Sequence, residues 1–534
     1  MNKKLLIGIL LVIVFVSAVL SFYNKKTVSV PRCLNSDEAA FGYNAYSILK
    51  TGKDEYGTLL PLRLKSFGDF KLPLYSYLSV PFIALFGLNT ESTRLLNLLL
   101  VSIFPLAVYF LTKELFHNQK IALIAASLSA ISLAFHSIGR QAHESLLAVA
   151  FLTLSTLFFI KLINKFNLKM LGLFFLTLFL SLFAYHISRI FAVFFFAVSL
   201  FYPMKTKTQK ISLLIIFIFV LGIFALTDLK YNPARVENLL FFNNQGFSLK
   251  INELNTEGGI SLLHNIIVQG ITTVTFQHLS YFSPQFLVIN GDDNPRFGYP
   301  GISLLTPFEY IFIFIGIYFA FRNKERFRNF VLALFIVSPL SASLSWNGLS
   351  LTRSIFFFVP CIIFASYGMY HFVRSIKNKY QFMAGLCIAV GILFFAAVSW
   401  EFYLFHYPQR GLIVRSWECG YKELTDYVEQ NYNKFDKFYI TKKNGEPYIF
   451  FLFFLKYPPA LYQKYAKLTP PDKYGFGQVE GFDKFDFNFD LPKNSHKYVA
   501  VGFPDDFQNT GIDPAKIKKI KVGTEDMFWI YESP

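Results

Sequence analysis

Asp37 and Glu38 stand side by side just after the first hydrophobic segment, and Lys71 follows in the run Lys71-Leu72-Pro73-Leu74, with Arg63, Lys65 and Asp69 before it. A carboxylate at a membrane boundary can take the proton of an attacking hydroxyl. A fixed cation nearby can hold the charge that develops on an anionic leaving group. Charged groups are costly inside a bilayer, so a polar strip flanked by apolar segments reads as a site, a surface collar or a loop. Three further sets of residues share this potential: Arg140-Gln141-Ala142-His143-Glu144, Asp292-Asp293 and Arg353. Each has a plainer reading. Acids ahead of Ala39-Ala40-Phe41 also suit the start of a helix, and Lys71 suits an interface anchor. For Arg140 and Arg353, anchoring and catalysis weigh about evenly. His143 and His186 read as packed or hydrogen-bonded side chains, and Gly291-Asp292-Asp293-Asn294-Pro295 reads as a turn, since it lacks the ligand spacing of a calcium loop.

The elements that must position these residues are set by composition. Hydrophobic residues make up 54% of the chain, with 66 Phe and 30 Tyr, while charged residues are only 16%. The apolar residues come in separated blocks, which describes a polytopic membrane protein rather than a soluble domain. A formal charge of +17 raises nucleic acid as a partner. The basic residues, however, cluster at the ends of apolar blocks, as cytoplasmic anchors do, and nucleic acid is set aside. The four cysteines show no metal or redox spacing and imply no disulfide framework. Cys361 and Cys387 fall in apolar runs, whereas Cys33 and Cys419 share one side, which leaves a bond between them open.

Met1-Asn2-Lys3-Lys4 followed by Leu5–Phe22 reads as an uncleaved signal-anchor helix with its N-terminus inside. Further spans are expected near 93–111, 121–138, 145–162, 170–185, 190–204, 211–226, 307–321, 330–346, 355–372 and 382–402, about eleven in all. The piece 75–88, interrupted by Pro81 and Gly87, is too short for a span and reads as juxtamembrane or re-entrant. With this count Lys3/Lys4, Lys113/Lys120, Lys161/Lys165/Lys169, Lys205/Lys207/Lys210, Arg322/Lys324/Arg326/Arg328 and Arg374/Lys377/Lys379 all fall on the cytoplasmic face. The loop 24–92, Arg140–Glu144, the large loop 228–306, the stretch 346–353 and the C-terminal region then lie outside. The expected division is a transmembrane region 1–410 and an extracytoplasmic α/β domain 411–534. In the latter, a helix over 418–431 and strands over 437–441, 497–502, 517–522 and 527–531 are expected. The segment 482–489 is read as loop or edge, with its aromatics as packing.

Asp37-Glu38 after the first helix, then Lys71-Leu72-Pro73-Leu74, Phe86-Gly87 and Arg94, resembles the N-terminal signature of GT-C type membrane glycosyltransferases. The nearest group in this resemblance is that of the protein O-mannosyltransferases and lipid A aminoarabinose transferases, family 39 and its neighbours. Leu72 stands where that group usually has a first Pro. Arg140…Glu144 resembles its second external loop, although the acid there is often Asp, and Gly291–Gly298 and Ser345-Trp346…Arg353 resemble segments of bacterial members.

The resemblance implies a mainly α, GT-C-like membrane protein that transfers a sugar, with inversion, from a polyprenyl-phosphate donor to an extracytoplasmic acceptor (protein, lipid or glycan). No P-loop or glycine-rich nucleotide fingerprint occurs, and nucleotide donors are not expected outside the cytoplasm. Asp37 is the expected general base, with Glu38 and Glu144 as further acids of the catalytic set. Lys71, Arg140 and Arg353 are the expected donor-phosphate ligands, Arg gripping bidentately and Lys as a point charge. No metal ligand set is expected, no cofactor beyond the lipid-linked donor is implied, and dependence on a divalent metal is left open. The bilayer, the donor and the acceptor are the expected partners. A surface-polysaccharide ligase or polymerase is the alternative. A transporter of lipid-linked sugars is less favoured, because the charges collect at span ends rather than in mid-span.

Overall fold

The computed structural model describes residues 2–24, 29–67, 69–201, 207–231, 241–346, 348–443, 445–470, 477–489, 491, 497–508 and 510–534. Lys205 of the expected basic clusters and 232–240 of the expected loop 228–306 lie outside the described residues.

The chain is mainly helical, and a helix stands at each of the eleven places where a span is expected. Among the described residues, six helices are long and apolar enough to cross a membrane alone: Lys3–Phe22, Thr90–Phe116, Glu144–Asn164, Gln209–Leu226, Leu351–Ser375 and Asn378–Gln409. Gln119–Ile131 and Leu133–Gly139, which meet at a 48° bend, pass the same test only when taken together as one broken segment. Ser132, between them, is extended and interrupts the helical hydrogen-bond ladder there. Leu168–Ala184, Ser188–Phe201, Pro307–Arg322 and the Arg328–Ser343 pair of short helices fill the other four places with shorter pieces. Leu74–Phe86, at 13 residues, is the short apolar helix expected after the polar strip. The protein is a multi-pass membrane protein.

Two compact units divide the chain: Met1–Tyr23 with Asn97–Tyr403, and Asn24–Leu96 with Leu404–Pro534. Helices carry the first unit. Gly316 and Gly368 allow Pro307–Arg322 and Phe358–Ser375 to cross backbone to backbone: a Cβ on Gly316 would lie 1.9 Å from the Phe364 carbonyl oxygen. Small residues at such crossings let helices pack closely without a hydrophobic driving force from water. Glu144–Asn164 and Leu168–Ala184 are joined in their apolar surroundings by a Ser155 Oγ to Thr177 Oγ1 hydrogen bond of 2.9 Å. Lys3–Phe22 packs through Ile13 onto Ala122, Ala126 and Ala130.

The second unit holds the helix Ser36–Thr51, a short hairpin and the sheet of the C-terminal region. The hairpin pairs β1 (Leu64–Ser66) with β2 (Asp69–Lys71), setting Leu64 opposite Lys71. The sheet contains β3 (Lys437–Ile440), β4 (Lys467–Leu468), β5 (Val479–Phe482), β6 (Phe485–Asp486), β7 (Tyr498–Gly502), β8 (Ile517–Val522) and β9 (Glu525–Glu532), in the order β4-β5-β6-β3-β7-β9-β8. β3 pairs parallel with both β6 and β7, and the other pairings among the described residues are antiparallel. The strands expected near 437, 497, 517 and 527 are present. The helix expected over 418–431 runs Tyr421–Asn431. The segment 482–489 contributes β6 and the end of β5, with Phe482, Phe485 and Phe487 buried as core. Ser36–Thr51 packs against Tyr448–Phe454, and Gly42 marks the closest approach: a Cβ there would lie 2.6 Å from both Phe453 and Thr93.

Candidate active site

The helix Ser36–Thr51 begins where its sequence says it should. Asn35 accepts the Glu38 N–H at 3.0 Å, and Glu38 Oε2 accepts the Asn35 N–H at 3.3 Å, a reciprocal capping box. This leaves Asp37 in the first turn, where a negative charge is favoured. The Asp37 side chain is half exposed, and its Oδ1 accepts from Lys71 Nζ at 2.6 Å.

Lys71 reaches Asp37 because β2 ends there. Pro73 disfavours a helical Leu72, so the chain stays extended until Pro73 caps Leu74–Phe86. Leu72 itself is buried. The Lys71 ammonium lies 5.0 Å from the Phe41 ring centre and 4.6 Å from that of Phe67. Two aromatic faces and a carboxylate therefore surround one cation, a setting that holds the charge while excluding part of its water.

Glu38 points the other way. It is fully buried and takes a fork of two hydrogen bonds from Arg94, Nε at 2.7 Å and Nη2 at 2.6 Å. Arg94 also donates to the carbonyls of Pro31 and Cys33. The pair ties the residues ahead of the helix to the first turns of Thr90–Phe116. Of the two adjacent acids, only Asp37 faces outward.

A second buried carboxyl in this unit was not singled out by sequence. Glu55 accepts from Tyr448 Oη at 3.1 Å, and Tyr448 in turn lies 3.1 Å from Tyr56 Oη. Burial pushes the Glu55 carboxyl up to about 8, and the neighbouring Asp54 adds to the effect.

In the first unit, Arg140 is buried and donates to the carbonyls of Leu20 at 2.6 Å, Ser21 at 2.9 Å and Tyr23 at 2.6 Å. Those carbonyls belong to the last turn of Lys3–Phe22 and the residue after it, which lack intrahelical partners, and a cation at that end also suits the helix dipole. Glu144 opens Glu144–Asn164, with His143 as N-cap. His143 accepts the Ser145 N–H at 3.1 Å, lies edge-on to Tyr185 and Phe297, and stands 3.7 Å from Glu144. Asn97 holds this segment through the carbonyls of Gln141 and His143.

Arg353 donates to Ser345 Oγ. The backbone leading to it is clasped by Asp292 and Asp293: Leu351 N–H bonds Asp292 at 2.5 Å and Leu349 N–H bonds Asp293 at 2.7 Å. Ser350 N–H adds a bond to Tyr281 Oη at 2.9 Å. Burial raises the Asp292 carboxyl to about 7. The Gly-Asp-Asp-Asn-Pro turn is thus a latch on the Arg353 segment. Among the described residues, no group of three or more His, Cys, Asp and Glu gathers in the manner of metal ligands.

Residues 71–227 match the family profile described as Dolichyl-phosphate-mannose-protein mannosyltransferase. No curated protein matches the chain in sequence. Among solved structures it is similar to ArnT from Cupriavidus metallidurans in the apo state, with a TM-score of 0.53 and 12% identity over 99% of this chain and 97% of that one. ArnT bound to undecaprenyl phosphate gives 0.52 and 11%, with the same coverage. The archaeal oligosaccharyltransferase AglB from Archaeoglobus fulgidus, in complex with an inhibitory peptide and a dolichol-phosphate, gives 0.53 and 13% over 84% of this chain. The chain spans 63% of the AglB chain's length. It has the fold of GT-C type membrane glycosyltransferases of the protein-mannosyltransferase and ArnT group.

Proposed function

We propose that this GT-C type chain is a membrane glycosyltransferase that moves a sugar from a polyprenyl-phosphate donor to a hydroxyl of an extracytoplasmic acceptor, which is a protein, a lipid or a glycan. The observation that carries the reading is the Asp37–Lys71 pair: a half-exposed carboxylate and a cation 2.6 Å apart. In the step, the acceptor oxygen forms a bond to the anomeric carbon, and the bond from that carbon to the donor phosphate oxygen breaks. The acceptor proton passes to the Asp37 carboxylate. The electron pair leaves on the polyprenyl phosphate, whose charge Lys71 stabilises. Attack from the face opposite the phosphate inverts the anomeric centre.

Glu38 and Arg140 take positioning roles in this reading, since each is already bonded within its unit, to Arg94 and to the end of the first helix respectively. The resemblance also assigns Glu144 and Arg353 to the reaction, and their variants belong in the test. The reading places the N-terminus in the cytoplasm and the Asp37 strip and C-terminal region outside. The placement of the basic clusters supports this, as does the Cys33–Cys419 disulfide, a bond that persists in oxidising compartments. Outside the cytoplasm a donor must arrive activated, and a lipid-linked sugar does so.

The test is turnover of labelled polyprenyl-phosphate hexoses and pentoses by the reconstituted chain, with cell-envelope extract as acceptor source. Transfer of at least one sugar supports the reading. No consumption of any donor by folded protein, with a competent acceptor present, refutes it and favours the ligase reading.

A further inference from the structure

The first turn of Ser36–Thr51 has more support than its own capping box. A helix N-terminus leaves four N–H groups without intrahelical partners. Asn35 takes that of Glu38, and the Ser36 N–H, next to Asp37, is taken by Glu418 Oε2 at 2.8 Å. Ser36 Oγ donates to the other Glu418 oxygen at 3.3 Å. These residues are 382 positions apart in sequence.

The turn that presents Glu418 is fixed on every side. Glu418 itself has φ +51°, a left-handed conformation uncommon for a residue with a side chain, and Gly420 follows with φ +96°. Trp417 before it is buried, with its indole N–H on Tyr407 Oη at 3.1 Å. Cys419 after it is bonded to Cys33, two residues ahead of Asn35. A carboxylate and a covalent bond, contributed by adjacent residues, thus converge on the start of the helix that bears Asp37.

We propose that Glu418, held in place by the Cys33–Cys419 bond, is a positioning residue that fixes the first helical turn and with it the direction in which Asp37 meets its substrate. The proposal rests on the reading of Asp37 as the general base. Glu418 touches no reacting atom. Without its carboxylate the Ser36 N–H loses its partner, the first turn loosens, and Asp37 and Lys71 no longer hold one geometry. Positioning of this kind acts on the chemical step rather than on donor binding.

The experiment measures kcat, donor KM and melting temperature of the full reconstituted chain for wild type, Glu418→Ala, Glu418→Gln, Cys33→Ser with Cys419→Ser, and Asp37→Asn. Glu418→Ala and the double serine variant are expected to lower kcat on the order of ten- to a hundredfold, the scale of a small misplacement. Their donor KM stays within about twofold, as for loss of an interaction felt in the transition state. Glu418→Gln keeps an oxygen for the Ser36 N–H and recovers most of the rate. Wild-type kcat in Glu418→Ala, with Asp37→Asn inactive, overturns this inference and leaves the base assignment standing. Wild-type activity in Asp37→Asn overturns the base assignment whatever Glu418 does. A rise in donor KM with kcat unchanged, or no recovery by Gln, makes Glu418 something other than a positioning residue and overturns the inference. Should the substituted chains not fold, reduction of folded wild type by dithiothreitol decides: the inference expects kcat to fall and to return on reoxidation, and an unchanged kcat after complete reduction overturns it.

Discussion

Replacing Glu38 by alanine separates structural from chemical work within the acidic pair. The side chain is 1% exposed and Arg94 only 9%, so the ion pair between them is screened little by solvent. Alanine removes two charge-assisted bonds, of 2.7 and 2.6 Å, together with the acceptor for the Asn35 N–H. The Arg94 guanidinium is left buried with the carbonyls of Pro31 and Cys33 but without its counter-charge. Breaking a buried pair by removing one partner costs about 3–5 kcal/mol, much of it the penalty of the stranded charge. Replacing both residues by apolar side chains of similar size, Glu38→Leu with Arg94→Met, strands no charge, although the Asn35 N–H and the carbonyls of Pro31 and Cys33 lose these partners, and is expected to restore part of that loss. The assay is reversible denaturant unfolding in detergent, run as a double-mutant cycle, with transfer activity measured on the fraction that remains folded. A Glu38→Ala protein as stable as wild type, yet as inactive as Asp37→Asn, would return Glu38 to the chemistry and remove its structural role.

Other perturbations follow from the geometry. Lys71→Ala should raise the donor KM and lower kcat together, whereas Arg140→Ala should lower stability by about 1.5–3 kcal/mol for each charged hydrogen bond lost while donor KM holds; steady-state kinetics and unfolding distinguish them. Gly42→Ala places a Cβ 2.6 Å from Thr93 and Phe453 and should destabilise by about 1–3 kcal/mol, read by unfolding in detergent. The Glu55 carboxyl is raised from 4.5 to about 8 by burial, so the folded state holds its proton where the unfolded state has lost it. Stability from this group is full below about pH 4.5, falls as pH rises to about 8 and is level beyond; Glu55→Gln, which keeps an acceptor for Tyr448, should flatten that slope in melting curves. Asp292→Asn turns one acceptor of the Arg353 latch into a donor facing an N–H, and should cost about 1–3 kcal/mol with a loss of transfer.

The spans were legible because each is a local run of apolar residues, and helix stands at all eleven expected places. The bend at Ser132 was not, since serine recurs along the run at 127, 129, 132 and 137 and nothing in the sequence marks one of them as the break. Asp37 and Lys71 were legible as a motif, whereas the hairpin that carries Lys71 was not, the stretch being read only as a polar strip. Their surroundings depend on long-range pairing that local periodicity does not encode. Glu38 finds Arg94 56 residues away, and Ser36 finds Glu418 far beyond that. The two sheet partners of β3, β6 and β7, lie far along the chain from it, and the Asp292 latch closes on a segment about sixty residues later. Residues 24–92, read from sequence as an external loop, fall within Asn24–Leu96, which forms a compact unit with Leu404–Pro534. No compositional mark announces that partnership.

In the proposed reaction Asp37 takes the acceptor's proton while Lys71 holds the leaving phosphate. The most direct test is single-turnover transfer from a labelled polyprenyl-phosphate sugar by reconstituted wild type and Asp37→Asn, with donor binding measured on the same preparations. The expected result is a rate loss of about 10²–10⁴ in Asp37→Asn, the usual contribution of a general base, with donor affinity retained. Equal single-turnover rates for the two folded proteins would contradict it.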